Sequence, residues 1–302
     1  MQVSRKVKNM TPQKRQKPVK AYKDLDFLSS PDARTLRVLA EFLEPEARFK
    51  KHRIHDTIVF FGSARIKDPE IARGDLRTLT AGSSGRKRTT RLKKEILAAQ
   101  SAVKMSRYYK DAMELSSLLT DWSLSLGRGK RRFIVCSGGG PGIMEAANRG
   151  ATTNSKGYSI GLNISIPFEQ FTNSYITTDL DFEFHYFFIR KYWFLDLAKA
   201  LVAFPGGFGT FDELFEVLTL IQTKKVKKKL PVVIYGKSYW KKAINFDVLA
   251  EEGMIDAQDL DLIHFSDDPK DAFEYLRETL TANYLTPAAK TGKKKKMRKK
   301  TG

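Results

Sequence analysis

The residues best suited to chemistry lie in three glycine-bearing stretches and one charged pair. "PGGFGTFDE" (residues 205–213) follows the apolar run Ala200-Leu201-Val202-Ala203-Phe204 and precedes "LFEVLTLIQ", so a strand empties through a glycine turn into a helix. "SGGGPGIME" (137–145) has the same character, and "FGSAR" (61–65) ends another apolar run. Glycine at such points lets the backbone approach a ligand with no β-carbon in the way, and the free N–H groups of a helix start attract phosphate. A tight strand-to-helix connection explains any one of these turns equally well, but two that run straight into helices favour a phosphate-bearing ligand. The candidate phosphate contacts are Gly62 and Ser63, then Gly138, Gly139 and Gly140, then Gly206, Gly207, Gly209 and Thr210.

Glu213 falls in the first turn of its helix, beside the proposed cradle. A carboxylate there repels phosphate, so it must aim at another part of the ligand. Arg190 and Lys191, within "FHYFFIRKYWF", set two cations in an aromatic helix. A buried Arg needs an anionic partner, which is either a ligand or a structural carboxylate. Lys191 is either a surface residue or a second contact to the nucleotide or phosphate. Asp212 and Glu145 read as partners of helix N-terminal dipoles or as groups supporting the site.

Other chemistries lack their patterns. "GGGPGI" has Ile143, and "GFGTFD" has Asp212, where a dinucleotide fingerprint needs a small residue. The "GKS" at 236–238 has Pro231 where a phosphate-binding P-loop needs glycine. His52, His55, His185 and His264 show no metal spacing, Cys136 ends an apolar strand as a core residue, and there is no Gly-x-Ser-x-Gly elbow.

The elements that must position these residues alternate strand with helix. Expected strands are "DTIVFF", "RRFIVCS", "GYSIGLNISIP", "YITT", "KALVAF", "KLPVVIYG" and "DLDLIHFSD". Expected helices include a long one over 92–126, then "PGIMEAANRGA", 184–199, "FGTFDELFEVLTLIQTKK", "SYWKKAINFDVLAEEG" and "PKDAFEYLRETLTANY". The stretch 66–90 lacks periodicity and reads as a loop. Mostly short, solidly apolar strands predict an α/β fold, a doubly wound Rossmann-like parallel sheet with helices on both faces. Residues 24–53 form an N-terminal helical cap on this single domain, which runs to residue 286.

The net charge of +20 suggests a nucleic-acid binder until its distribution is examined. Residues 1–23 and 287–302 each carry eight Lys or Arg and no acid, which leaves 38 basic against 34 acidic residues between them. The nearly neutral folded part is thus flanked by basic tails, expected to be disordered, which make at most weak, salt-sensitive polyanion contacts. One cysteine fits a reducing, cytoplasmic setting, and no apolar run reaches the roughly 18 residues of a membrane helix.

"SGGGPGIMEAANRGA" and "PGGFGTFDE" together resemble the two hallmark segments of the LOG ("Lonely guy") family, often labelled lysine-decarboxylase-like, and "FFIRK" resembles its Arg-Lys pair. The resemblance implies a homo-oligomer that hydrolyses the N-glycosidic bond of nucleoside 5′-monophosphates, including cytokinin riboside monophosphates, to free base and ribose 5-phosphate. It implies that Arg190 and Glu213 carry catalysis, that the 205–210 turn holds the 5′-phosphate, and that neither cofactor nor metal is required. Phe187 and Phe188 stand where compact plant-type members carry Met-His, so AMP-like substrates are expected ahead of cytokinin precursors.

Overall fold

The computed structural model describes residues 17–81, 89–127, 129, 131–167 and 171–286. The basic stretches 1–16 and 287–302 lie outside them. The chain divides into two compact units, 1–44 and 45–302. The first holds Leu25–Ser29 (α1), whose N-cap Asp24 accepts a hydrogen bond from the Phe27 amide, and most of Arg34–Lys51 (α2). Arg37 donates to the carbonyls of Leu28 and Ser30 within that unit.

The second unit runs through Thr57–Phe61 (β1), Pro69–Ala81 (α3), Thr90–Met105 (α4), Arg107–Ser125 (α5), Ile134–Ser137 (β2), Ile143–Ala151 (α6) and Ser159–Ile164 (β3). It continues with Asp181–Phe184 (β4), Phe187–Asp196 (α7), Ala198–Ala203 (β5), Phe208–Gln222 (α8), Val232–Tyr235 (β6), Lys237–Ala243 (α9), Phe246–Glu251 (α10), Ile263–Ser266 (β7) and Pro269–Leu280 (α11). All seven strands are parallel, in the order β4-β3-β2-β1-β5-β6-β7. The expected doubly wound α/β sheet is therefore present. β1, β2 and β6 are buried at every residue, as strands covered on both faces must be. No described helix is long and apolar enough to cross a membrane.

Four local expectations are corrected. Most of 66–90 is not loop: Asp68 accepts from the Glu70 amide and Pro69 opens α3, a start signal that outweighs the weak apolar periodicity. The long helix over 92–126 is two, divided at Ser106, whose hydroxyl bonds back to the Val103 carbonyl. "YITT" is not a strand; "DFEF" (β4) is, because Phe182 and Phe184 alternate inward and Phe182 packs 4.9 Å from Phe49. "SYWKKAINFDVLAEEG" breaks at Ile244-Asn245 into α9 and α10.

One side of the sheet is a continuous core in which α5, α6 and α11 meet β1, β2, β5 and β6. Backbones there approach so closely that α6 must present small residues: Ala146, Ala147, Gly150 and Ala151 are all buried. A β-carbon at Gly150 would lie 2.1 Å from the Met113 carbonyl oxygen of α5. Gly150→Ala gains helix propensity in principle, yet here it must push two helices apart. Overpacking of this kind costs about 1–3 kcal/mol or more, so thermal unfolding should show a Tm several degrees below wild type.

Candidate active site

The strand order reverses at β1, which lies between β2 and β5, so a crevice opens outside the C-terminal ends of these three strands. Ser63, just past β1, ties the three turns together. Its amide donates to the Pro205 carbonyl at 3.0 Å, and its carbonyl accepts from the Ile143 amide at 3.1 Å. That contact requires glycine at 142, where φ is +73° and a β-carbon would sit 2.4 Å from the Ser63 oxygen. The glycine-bearing stretches, far apart in sequence, thus form one wall.

The resulting cleft has a volume of about 330 Å³ and brings together Gly62, Ser63, Gly138, Arg190, Gly207, Gly209, Thr210 and Glu213. Gly139, Gly140, Gly206 and Lys191 are not among its lining residues. Gly139 and Gly140 instead shape the β2 turn: the Asn173 side-chain amide donates to both their carbonyls and to the side-chain oxygen of Asn148. Fully buried Asn148 also accepts from the Ser137 hydroxyl and donates to the Ser159 hydroxyl and the Ile160 carbonyl. Glu145 accepts from the Tyr109 hydroxyl at 2.6 Å and does not line the cleft.

Gly206 is buried, and its carbonyl accepts a hydrogen bond from the hydroxyl of Tyr239 on α9. Across a trans peptide the C=O and the following N–H point in opposite directions. Fixing the Gly206 carbonyl on Tyr239 therefore turns the Gly207 N–H the other way, and Gly207 lines the cleft. The N–H groups of Phe208 and Gly209, first in α8, have no acceptor within their own helix and add to the same anion-attracting end, whereas the Thr210 N–H donates to the Gly207 carbonyl at 3.0 Å and leaves only its hydroxyl to offer.

Glu213 and Arg190 line the same cleft and interact electrostatically. Glu213 is only 8% exposed, and burial pushes its carboxyl up to about 7, against the opposing pull of Lys191 and then Arg190. Arg190 is oriented by its Nε, which donates to the Leu162 carbonyl at 2.7 Å, while its guanidinium lies 5.0 Å from the Phe194 ring centre. Burial lowers its pKa, the Glu213 carboxylate opposing the shift. Lys191 reaches Asp212 and Glu216 on α8, 2.7 Å from each. Burial works against its charge, but those two carboxylates outweigh it and its pKa is raised. The Lys-Arg pair thus divides its duties: Arg190 faces the cleft, and Lys191 clamps α7 to α8.

Sequence reasoning passed over Arg65, Met144, Ile164 and Ile166, which also line the cleft. Arg65 was visible in "FGSAR". The apolar wall was not, because Ile164 and Ile166 belong to a different strand end and meet Met144 only through the sheet. Tyr239 carried no signal either, since its partner is a backbone atom 33 residues away. Cys136 is buried in β2, and burial pushes its thiol above the usual range.

A doubly wound α/β domain with a glycine-walled cleft, a buried carboxyl and a buried arginine at its switch point is thus defined. Residues 144–276 match the family described as "Possible lysine decarboxylase". The matched segment runs from α6 into α11 and contains both the Arg190-Lys191 pair and the "PGGFGTFDE" stretch. A solved structure of the molybdenum cofactor binding protein from the phototrophic bacterium Rippkaea orientalis is similar at 19% identity and a TM-score of 0.40, over 58% of this chain and 88% of that one. No curated protein matches the chain.

Two outcomes follow from the geometry. Lys191→Met removes a cation near Glu213 and frees two carboxylates, so the Glu213 carboxyl should titrate above its wild-type value of about 7, as read by NMR of the labelled side chain. Tyr239→Phe loses one hydrogen bond, worth about 1 kcal/mol, and should weaken binding of inorganic phosphate roughly fivefold with an unchanged circular dichroism spectrum.

Proposed function

We propose that the protein hydrolyses the N-glycosidic bond of nucleoside 5′-monophosphates, releasing a free base and ribose 5-phosphate. The observation that carries this reading is the placement of a buried carboxyl, Glu213, one helical turn from a backbone phosphate cradle in the same cleft. With the 5′-phosphate on Gly207, Gly209 and Thr210, the ribose lies over the first turn of α8. There the Glu213 carboxylate stabilises the positive charge that builds on the sugar as the bond breaks, and orients the attacking water. Arg190, across the cleft, orients the departing base or steadies its charge. Phosphate binding fixes the ring in place, an orientation the spontaneous reaction lacks.

Met144, Ile164, Ile166 and Phe187 supply an apolar wall suited to a flat base. AMP-like substrates fit this wall, and cytokinin riboside monophosphates, with an extended apolar substituent, are a narrower form of the same proposal. The family description names a different reaction, lysine decarboxylation. Among the described residues lining the cleft there is no lysine amine to form a Schiff base with a pyridoxal cofactor, and the Lys191 ammonium is held by Asp212 and Glu216.

The test is a panel of nucleoside monophosphates assayed for free base and ribose 5-phosphate. Turnover should appear with at least one purine monophosphate, and kcat/KM should climb with pH through an apparent pKa near 7, because Glu213 acts ionised and burial raises its pKa to about 7. Glu213→Gln should lower kcat by roughly a hundredfold or more while nucleotide binding persists. Binding without turnover across the whole panel would instead identify a nucleotide sensor on the same fold.

A further inference from the structure

At the other end of β1 and β2, a second cavity of about 430 Å³ opens beside the N-terminal edge of the sheet. Its polar wall comes from the C-terminal end of α2 with the residues just after it (Lys51, His52, Arg53), from the entry into β2 (Arg131, Arg132) and from Tyr158. Leu124, Phe133 and Ile134 give it an apolar side. Four of its lining residues are Lys or Arg, and none of the described lining residues is acidic.

Two of the four cations are balanced from outside the cavity. Lys51 lies 3.4 Å from Asp179, and Arg132 Nε donates at 2.6 Å to Asp56, a carboxylate with no exposed surface. The other two have no carboxylate partner. Arg131 is held by neutral acceptors alone: it donates to the His52 carbonyl and, at 2.6 Å, to the Tyr158 hydroxyl, with its guanidinium 3.9 Å from that ring's centre. Arg53 is exposed, and its side chain has no hydrogen-bond or ion-pair partner among the described residues. The Arg53 backbone has φ +55°, a conformation that costs a non-glycine residue energy, yet a long cation is placed there. The C-termini of α2 and α5 face this region and offset about half a charge each. The cavity keeps a positive balance even so, and its two uncompensated guanidiniums match a phosphate group, which arginine binds in bidentate fashion.

We propose that this cavity binds a phosphorylated small molecule, its phosphate on Arg53 and Arg131 and its body against Leu124 and Phe133. The volume falls within the range of small-molecule sites, about 300–1,000 Å³, and exceeds what a lone phosphate fills. The site is separate from the cleft, so it stands or falls independently of the proposed hydrolysis. Since β1 and β2 run from one site to the other, occupancy at the basic end bears on strands whose far ends build the catalytic wall.

The experiment uses the full chain and inorganic pyrophosphate as the probe, titrated by calorimetry at constant ionic strength. Arg53→Asn removes the charge while tolerating the left-handed backbone, so it should fold as wild type does. It should weaken one class of pyrophosphate sites about tenfold or more, and adding Arg131→Gln should abolish that class. Lys241→Gln, which removes an exposed cation on α9, is the control for diffuse charge and should leave binding unchanged. Wild-type binding by Arg53→Asn overturns the proposal, as does an equal loss in Lys241→Gln.

Discussion

The two backbone hydrogen bonds of Ser63 are the constraint on which the site depends. One reaches the turn after β5 and the other the turn after β2, so a single residue past the central strand sets the spacing of all three strand ends. These contacts are possible because Gly62 and Gly142 bring backbone and Ile143 into van der Waals distance, where β-carbons would intrude at 2.6 Å and 2.4 Å. A switch point in a parallel sheet always leaves a crevice. Here the crevice is given a fixed shape by main-chain atoms, which do not change rotamer when a ligand arrives.

Side chains placed on that frame are held from behind. Arg190 is steered by the Leu162 carbonyl, Lys191 by Asp212 and Glu216, and the Gly206 peptide by Tyr239. Asn148 and Asn173 do the same for the β2 turn with no charge involved. The consequence is electrostatic: because nothing but Arg190 and Lys191 offsets the burial of Glu213, its carboxyl is left near 7, where it can exist in either protonation state at neutral pH. Had Lys191 turned into the cleft to pair with it directly, the Glu213 carboxyl would have been pulled lower.

The two ends of the sheet treat charge differently. At the C-terminal end, helix starts and glycine amides make a positive surface from partial charges. At the N-terminal edge, arginines and a lysine do so with whole charges, partly matched by Asp56 and Asp179. Both features sit in a folded region whose overall charge is close to neutral, so they depend on where charges are placed and not on how many there are.

The alternation of apolar strands and amphipathic helices, and the glycines at their junctions, were legible along the chain because they are local: burial on two faces demands continuous apolar runs, and a strand-to-helix turn demands glycine. That basis marked Gly62, Ser63, Gly138, Gly207, Gly209 and Thr210, which line the cleft, and equally Gly139, Gly140 and Gly206, which do not; Arg190 and Glu213, which also line it, stood out by their charge in an aromatic helix and beside a glycine turn. Helix α3 was legible too, in Asp68-Pro69-Glu70, but was obscured by its polar composition. What no local pattern carried was orientation. Whether Arg190 or Lys191 faced the cleft, whether Gly206 or Gly207 lined it, and which apolar residues formed the far wall all depended on contacts between elements tens of residues apart. Helical phase places adjacent residues about 100° apart, and only the packing of α7 against β3 and α8 determines which of the two looks inward.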